Sequence, residues 1–381
     1  MHTVRFGIIG LGMMGREFAS AAARWCHLPD MEVRPEIVSI CSRTLNEKNV
    51  AWYTGNFPSI KQVTADYREV IANPDVDVAF IAVPHNLHEE MYIAALEGGK
   101  HLIGEKPFGI DKSANDSILA AIESHPDLFV RCTSHFIFYP AVQKICSMIE
   151  NDGFGEIIEV EAGFLHSSDL DPAKPINWKR MLEFNGEYGC MGDLGMHVLH
   201  VPFRAGWTPK NVRAILSNII KERPDGKGGT VPCKTWDNAT LLCQTEHSGG
   251  ESFPMTIKTH RIAPGEMNSW YLSISGTKRS ARFSTKNPKL LQVLEYTGGT
   301  QAWQHIDTGQ KSAFKTISGG IFTVSFSDAL LQMWAAFLYE LTTGNPLSRF
   351  TGCVTPEETG LSHRLFTAAL ESEKNGTVVD V

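Results

Sequence analysis

Apolar residues occur in short runs through the first third of the chain, and helical stretches separate these runs. The runs VRFGIIG, EIVSICSR, DVDVAFIAVP and GKHLIGEKP are rich in β-branched residues and are typical of buried strands. Between them lie stretches such as HNLHEEMYIAALEGG, which have the amphipathic pattern of a helix. The alternation predicts an α/β domain with a doubly wound parallel sheet, covered by helices on both faces.

Three glycines follow the first predicted strand at the spacing G-x-G-x-x-G, namely Gly10, Gly12 and Gly15. Between a strand and a helix, such a turn presents backbone N–H groups and the positive end of the helix to the pyrophosphate of a dinucleotide. Met13 and Met14 lie in the same turn. We therefore predict a Rossmann domain that binds NAD(P)(H).

The end of the second predicted strand bears on the choice between NAD and NADP. Proteins that bind NAD usually have an acidic residue there, whereas proteins that bind NADP usually have a small hydroxyl residue and an arginine, which contact the 2′-phosphate. Ser42 and Arg43 stand at this position, and they favour NADP. An alternative interpretation is that the sequence caps a helix, with Thr44 ahead of a helical run.

The second part of the chain alternates apolar and polar residues. ATLLCQTE, PMTIKTHR and WYLSISG have this pattern, which is typical of a mostly antiparallel sheet with one covered face. We predict a Rossmann domain over residues 1–133 and an α+β domain for substrate binding and oligomerisation over 134–381. The open face of the second sheet predicts a homo-oligomer, a dimer or a tetramer.

The composition limits the classes of function. The 381 residues carry a net charge of −7 with dispersed lysine and arginine, so nothing indicates nucleic acid binding. No apolar run reaches the ~18 residues of a membrane span, and no basic leader precedes the first predicted strand. The eight cysteines lack C-x-x-C pairs, which suits free thiols better than disulfides or zinc. We expect a cytoplasmic protein.

Three motifs, AVPHNLH, GEKPFGID and GDLGMH, resemble those of the glucose-fructose oxidoreductase, inositol dehydrogenase and MocA family of sugar and cyclitol oxidoreductases. The closing residues from TPEETGLSH onward are similar to the final helix and strand of that family. The resemblance implies a Rossmann domain followed by an open α/β domain whose sheet often forms the oligomer contact. It also implies that Lys106, Asp193 and His197 line a cleft for nicotinamide and substrate.

Two departures from the family pattern concern the substrate. Ile137 stands in HFIFYP, where the family often has an arginine, and His200 stands where an aspartate is common. These departures predict a substrate pocket that differs from that of the inositol enzymes.

Hydride transfer from a carbinol requires a base for the hydroxyl proton and a cation near the oxygen. His197 suits the base, and Lys106, in a loop that leaves the sheet, suits the cation. Asp193 lies four residues before His197, on the same face of a helix, where it can raise the pKa of His197 or bind a substrate hydroxyl. The sequence leaves both roles open. We expect Pro202 to kink this helix or end it early.

The same face admits two other interpretations, a solvated polar face or a metal site of Asp193, His197 and His200. The dinucleotide turn and the GEKP motif favour hydride transfer, and we expect no metal. Cys190 has no neighbour that would activate it, so we interpret it as a packed thiol.

The remaining site residues are predicted from their positions beside the strands. The cofactor is expected to contact Gly10, Gly12, Met13, Met14, Gly15, Ser42, Arg43, Pro84, His88, Glu105 and Lys106. The substrate is expected to contact Lys106, His135, His166, Trp178, Asp193 and His197. The alternative for His88 is a turn histidine with a local hydrogen bond, and the alternative for Trp178 is a buried packing residue.

The predicted function is hydride transfer between a nicotinamide cofactor and a secondary alcohol or ketone of a sugar, glycoside or cyclitol. One alternative is a glycosidase or lyase that keeps its NAD and oxidises the substrate transiently. Another is a non-catalytic protein that senses the cofactor, against which the presence of Lys106, Asp193 and His197 argues.

Overall fold

The structure is a computed structural model, and it describes residues 2–246, 252–309, 311–320 and 322–381. Contacts divide the chain into two compact units, Met1–Phe138 with Lys311–Thr359, and Tyr139–Gln310 with Gly360–Val381. The predicted domain division between residues 133 and 134 stays a prediction. The contacts add that residues 311–359 pack with the first segment of the chain.

A parallel sheet lies at the centre of the first unit. Its strands are β1 His2–Ile9, β2 Val33–Cys41, β3 Gln62–Thr64, β4 Val78–Ile81, β5 His101–Gly104 and β6 Val130–Cys132. Their order is β3-β2-β1-β4-β5-β6, and every neighbouring pair is parallel. This confirms the predicted doubly wound sheet. The order reverses between β1 and β4, and ligands of such sheets bind at the carboxyl ends of the strands near this point.

Helices connect these strands and cover both sheets. Within the described ranges they are α1 Met13–Ala23, α2 Glu47–Asn56, α3 Tyr67–Ala72, α4 His88–Glu97, α5 Lys112–Glu123, α6 Pro140–Glu150, α7 Leu182–Asn185, α8 Cys190–Arg204, α9 Phe326–Thr343 and α10 Pro356–Asn375. The first residues of α2, α3 and α5 follow Asn46, Asp66 and Asp111, whose side chains accept hydrogen bonds from first-turn N–H groups.

Helix α9 explains why residues 311–359 belong to the first unit. Its Trp334 packs on Phe18 and Phe80, with ring centroids 4.0 and 4.8 Å apart. Arg24, directly after α1, pairs with Asp328 in the first turn of α9 at 2.9 Å. Burial of this aromatic cluster stabilises the unit, because large apolar surfaces leave water.

The second unit contains a larger sheet. The strands of the unit are β7 Ile157–Leu165, β8 Thr208–Ser217, β9 Glu222–Pro224, β10 Thr230–Pro232, β11 Asn238–Glu246, β12 Ser252–His260, β13 Ser269–Gly276, β14 Arg279–Ser284, β15 Leu290–Glu295, β16 Gln304–Asp307 and β17 Val379–Asp380. The sheet has the order β16-β15-β14-β13-β7-β12-β11-β8-β17, and β9 with β10 forms a separate hairpin. All its pairs are antiparallel except β7 with β12, which confirms the predicted mostly antiparallel sheet.

The two faces of this sheet differ in burial. In β11, Leu241 and Cys243 are buried, while Leu242 between them is exposed. Helix α8 packs against β7 and β12 on the covered face. The alternation predicted from the sequence is therefore confirmed, and one face of the sheet carries exposed apolar residues.

Candidate functional site

The glycine turn after β1 has the geometry that a dinucleotide requires. Gly10 has a φ of +106°, and a Cβ there would lie 2.2 Å from the carbonyl oxygen of Ala82. A Cβ at Gly15 would lie 2.3 Å from the carbonyl oxygen of Gly10. At Gly12, by contrast, an added Cβ would meet no described heavy atom within 4 Å. The first and third glycines serve the fold, and the second leaves open space beside the turn.

Helix α1 begins directly after this turn. Gly12 is its N-cap, and no side chain of the described residues accepts a hydrogen bond from its first turn. The free N–H groups at a helix N-terminus carry partial positive charge and bind phosphate. Met13 is 71% exposed and Met14 is half-buried in this turn. The turn and the helix end therefore fit the pyrophosphate of a nicotinamide dinucleotide.

Ser42 and Arg43 follow β2, at the same edge of the parallel sheet as the glycine turn. Ser42 is half-buried and the side chain of Arg43 is exposed. The alternative interpretation of Thr44 as a helix cap is wrong, because Asn46 caps α2 and its Oδ1 accepts from the Asn49 N–H at 3.1 Å. The cap lies two residues further along because the chain still turns at Thr44.

Asn49 also lies at this edge, and it was not among the predicted site residues. Its Nδ2 donates to the carbonyl oxygen of Leu11 at 2.9 Å, and its Oδ1 accepts from Nη2 of Arg16 at 2.6 Å. Asn49 thus ties α2 to the glycine turn and to α1. No motif marks this role, because the bond to Leu11 joins residues 38 positions apart.

Lys106 follows β5 in a loop whose shape its neighbours define. Tyr92 donates to the carbonyl oxygen of Glu105 at 2.7 Å. The Lys106–Pro107 peptide is cis, and Phe108 has a φ of +67°. Lys106 is half-buried, and Glu105 is buried. The structure thus places Lys106 at the carboxyl-terminal edge of the sheet, where ligands of doubly wound sheets bind.

Pro84 and His88 follow β4 at the same edge. Nε2 of the buried His88 lies 3.1 Å from the carbonyl oxygen of Val83, and the Gly109 N–H donates to its Nδ1 at 3.4 Å. The ring stacks on Tyr92, with centroids 4.8 Å apart. A neutral imidazole with its proton on Nε2 satisfies both bonds. These contacts favour the turn-histidine interpretation, in which His88 fixes the loop after β5.

Asp193 and His197 lie on α8, one turn apart, as the motif spacing predicted. The solvated-face interpretation is wrong, because Asp193 is 1% exposed and His197 is 8% exposed. Oδ1 of Asp193 pairs with Nζ of Lys179 at 2.8 Å, and Oδ2 accepts from Nη1 of Arg261. The carbonyl oxygen of His197 accepts from Nε1 of Trp270 at 2.9 Å. The carboxylate therefore lies between two cations.

The cations around Asp193 belong to a buried network that the sequence analysis also missed. Nε of Arg261 and Nε of Arg180 both donate to Oδ2 of Asp169, at 2.8 and 2.9 Å. Nη1 of Arg180 pairs with Oδ1 of Asp237 at 2.9 Å. Burial would raise the pKa of Asp169, but the charges of Arg261 and Arg180 hold it well below its usual value. The residues of this network come from separate segments of the chain, so no local spacing in the sequence predicts that they meet.

The predicted substrate contacts differ in their surroundings. His135 is buried, with its ring centroid 4.5 Å from that of Phe326, and burial lowers its pKa to about 3. His166 follows β7, and burial together with the charge of Arg261 lowers its pKa to about 4. Trp178 is half-buried, and Nζ of Lys179 lies 5.6 Å from its ring centroid. The substrate contact of Trp178 and its alternative role as a packing residue both stay predictions.

Three other predictions concern residues of α8. Cys190 is a packed thiol: burial raises its pKa to about 12, and Oγ1 of Thr259 donates to its Sγ at 3.7 Å. His200 is buried on the same helix. α8 ends at Arg204, two residues after Pro202, and the predicted kink at Pro202 stays a prediction.

Within the described ranges, no group of three or more His, Cys, Asp or Glu side chains is arranged to hold a metal ion. No helix found there combines the length and apolarity that crossing a lipid bilayer requires.

Comparison with known proteins gives two family matches and several relatives. Residues 4–131 match the oxidoreductase family with an NAD-binding Rossmann fold, and residues 142–282 match the GFO/IDH/MocA C-terminal domain. Levoglucosan dehydrogenase of Pseudarthrobacter phenanthrenivorans is 26% identical over 317 residues, which cover 77% of this chain and 76% of that protein.

A glycosyl hydrolase family 109 protein of Bacteroides thetaiotaomicron is 27% identical over 64% of this chain and 56% of that protein. A solved structure of levoglucosan dehydrogenase with NADH and levoglucosan superposes with a TM-score of 0.87 at 25% identity, and the match covers 100% of both chains. The two matched domains together cover most of the chain and agree with the three motifs, and the chain belongs to the Gfo/Idh/MocA family of NAD(P)-dependent oxidoreductases.

Proposed function

We propose that this oxidoreductase transfers a hydride between a nicotinamide cofactor and a secondary alcohol or ketone of a sugar, glycoside or cyclitol. The observation that carries the proposal is the placement of Asp193 and His197 one turn apart on α8, in a chain whose glycine turn fits a dinucleotide. The similarity to levoglucosan dehydrogenase supports a carbohydrate substrate.

The roles follow from the chemistry of the side chains. The nicotinamide, when bound, exchanges a hydride with the carbinol carbon. His197 takes or returns the hydroxyl proton, because an imidazole titrates near neutral pH. Lys106 stabilises the negative charge that grows on the substrate oxygen. Asp193 lies one helical turn from His197, and its negative charge favours the protonated imidazole.

The half-exposed side chains suit substrate recognition best. Trp178 offers an aromatic face for a sugar ring, and His166 offers a neutral ring nitrogen, since its pKa is lowered to about 4 by burial and Arg261. His135 was proposed beside them, but its ring is buried against Phe326. We assign the sugar contacts to Trp178 and His166 first.

The residues that follow β2 bear on the choice between NAD and NADP. Arg43 is exposed there, and Ser42 precedes it. A guanidinium and a hydroxyl are suited to a 2′-phosphate, so we propose a preference for NADP over NAD.

The exposed face of the second sheet supports a homo-oligomer. Ile215 and Leu242 are more than half exposed on β8 and β11, and they share a face of the sheet because Leu242 pairs with Arg213, two residues before Ile215. Apolar side chains grouped on one sheet face favour association, because it removes them from water. We also propose a cytoplasmic location, because all eight cysteines are free thiols.

A second candidate function follows from the similarity to the glycosyl hydrolase family 109 protein. In that case, the same residues would oxidise a glycoside transiently, and the neighbouring bond would break without net reduction of the cofactor.

One experiment separates these functions. The purified protein is mixed with NAD or NADP and a panel of sugars, polyols, anhydrosugars and aryl glycosides, and both absorbance at the reduced nicotinamide band and glycoside cleavage are followed. Net reduction supports the dehydrogenase, and cleavage without net reduction supports the glycosidase. Binding of NADH without turnover of any substrate would contradict both and favour a cofactor sensor.

A further inference from the structure

The buried charge network assigns a task to Arg261, a residue outside the motifs of the family. We infer that Arg261 is a positioning residue of the reaction, which holds Asp193 as an oriented anion and thereby leaves the proton to His197. The inference rests on the proposed function, since it says how the proposed site divides its work.

The guanidinium of Arg261 is held by three oxygen atoms. Nε donates to Oδ2 of Asp169 at 2.8 Å, Nη1 donates to Oδ2 of Asp193, and Nη2 donates to Oγ of Ser168 at 3.0 Å. The side chain is 8% exposed. A planar guanidinium with all three nitrogens bonded has one orientation, so it fixes the position of the Asp193 carboxylate.

Lys179 and Arg261 are among the cations that contact the Asp193 carboxylate, and they approach different oxygen atoms. Lys179 pairs with Oδ1 at 2.8 Å, and Arg261 pairs with Oδ2. Because Asp193 is buried, these charges act through a medium that screens them less than water does, and they stabilise the ionised carboxylate. A carboxylate held in this way is a weak base, so His197, one helical turn away, takes the proton of the substrate hydroxyl.

Asp169 holds Arg261 from the other side. It is fully buried and accepts from Arg180 as well, and its pKa is held well below its usual value. Asp169 is thus a permanent counterion for Arg261. Arg261 itself keeps its charge, because the carboxylates of Asp193 and Asp169 outweigh the effect of burial and raise its pKa.

Among the described residues, charged and titratable groups near Asp193 come from several elements. They include Lys179 before α7, Arg261 after β12, His166 after β7 and His197 on α8 itself. Arg261 is also fixed by a second carboxylate, Asp169, so its removal changes the orientation of Asp193 and removes a positive charge that acts on His166.

The test compares Arg261→Gln and Arg261→Lys with the matched control Arg223→Lys. Arg223 is equally buried in the same unit, and its guanidinium donates to the carbonyl oxygens of Asp169 and Asp171. We expect Arg261→Gln to lower kcat by up to about a hundredfold, since misplacement by ~1 Å costs that much. We expect its KM for the cofactor to stay within about twofold, because the glycine turn is unchanged.

The pH profile provides the readout that a purely structural role would not move. Without Arg261, the negative charge of Asp193 is less compensated, and Asp193 lies one helical turn from His197. The protonated imidazole is then favoured, so the acid limb of kcat/KM moves upward by about one pH unit in Arg261→Gln. Arg261→Lys keeps the charge, and we expect it to restore the acid limb but not the whole of kcat. Arg223→Lys should keep the wild-type profile. An unmoved acid limb in Arg261→Gln overturns the inference.

A second readout does not depend on turnover. The pKa of His166, about 4 in the wild type, should rise in Arg261→Gln when followed by NMR, and it should stay in place in Arg223→Lys. A His166 pKa that stays unchanged in Arg261→Gln contradicts the inference about Arg261. A wild-type protein that oxidises none of the test alcohols contradicts the proposed function instead. The NMR titration of His166 still shows whether the charge of Arg261 acts on the side chains around Asp193.

Discussion

Nε1 of Trp270 donates a hydrogen bond to the carbonyl oxygen of His197 over 2.9 Å. Trp270 lies on β13 and is fully buried, and His197 lies in the middle of α8. The large sheet therefore holds the helix with the D-x-G-x-H motif at the residue that we propose as the proton carrier. A substitution in the sheet that removes this bond should therefore change the position of His197 and lower kcat.

We expect Trp270→Phe to lower the free energy of unfolding by about 2 kcal/mol, because the carbonyl oxygen of His197 loses the indole donor and the core loses volume. The kcat should fall several-fold, with unchanged affinity for NADH. Urea unfolding and steady-state kinetics measure both effects. Trp207→Phe is the control, since Trp207 is equally buried but packs on Phe253. Equal losses of kcat in both variants would contradict the prediction.

The glycine turn allows fold and cofactor binding to be separated. We expect Gly12→Ala to weaken NADH binding at least tenfold with an unchanged Tm, because the added methyl group enters open space beside the turn. Gly10→Ala should lower the free energy of unfolding by about 3 kcal/mol, because it forces an alanine to a φ of +106° and against Ala82.

Fluorescence titration with NADH and thermal unfolding distinguish these variants. Gly55→Ala is the control, because its added Cβ also meets no described atom within 4 Å and lies in α2. A drop in Tm for Gly12→Ala as large as that for Gly10→Ala would show that Gly12 serves the fold.

The proposed catalytic groups make a direct prediction. We expect His197→Asn to lower kcat by about 10²- to 10⁴-fold, since it removes the base, and Lys106→Met by about 10²- to 10³-fold, since it removes the cation. Both should still bind NADH. Lys112→Met is the control, because Lys112 lies on the surface of α5 and pairs with Asp116. Turnover near the wild-type level in His197→Asn would refute the assigned role.

Arg43 should decide the cofactor. We expect Arg43→Ala to raise KM for NADPH by about 10- to 100-fold, because a charged hydrogen bond contributes roughly 1.5–3 kcal/mol. The KM for NADH should change little, since NADH has no 2′-phosphate. Arg34→Ala is the control, because Arg34 is exposed near the other end of the same strand. Equal changes with both cofactors would argue against a phosphate contact.

His135 makes stability depend on pH. Its pKa is about 3 in the folded protein, whereas an unfolded chain has about 6.5, so the unfolded state binds the proton first as the pH falls. The contribution of His135 to the free energy of unfolding is therefore fully present above pH 6.5. It decreases as the pH falls, and the loss from this group is about 3 kcal/mol at pH 4.

Urea unfolding between pH 7 and pH 4 tests this dependence. We expect a flatter profile in His135→Gln than in the wild type. His305→Gln is the control, because His305 is exposed, and its profile should match that of the wild type. An unchanged slope in His135→Gln would mean that another group causes the loss.

Much of the fold follows from local patterns. The β-branched runs and the glycine spacing predict the parallel sheet and its dinucleotide turn, because strand, turn and helix are neighbours in the sequence. The alternation in ATLLCQTE predicts a sheet with one covered face for the same reason, and β11 has that burial pattern. The position of Thr44 misled the prediction of the α2 cap, because local signals are weakest at helix ends.

The sequence by itself determined the class of cofactor, the two kinds of sheet and the placement of Asp193 and His197 on one helical face. Only the tertiary structure decided what surrounds that face. Arg261 and Asp169 are 68 and 24 residues from Asp193, and Arg261 reaches it because β12 pairs with β7 and α8 packs on both strands. A buried charge network depends on which strand ends meet in space, and spacing along the chain does not carry that information.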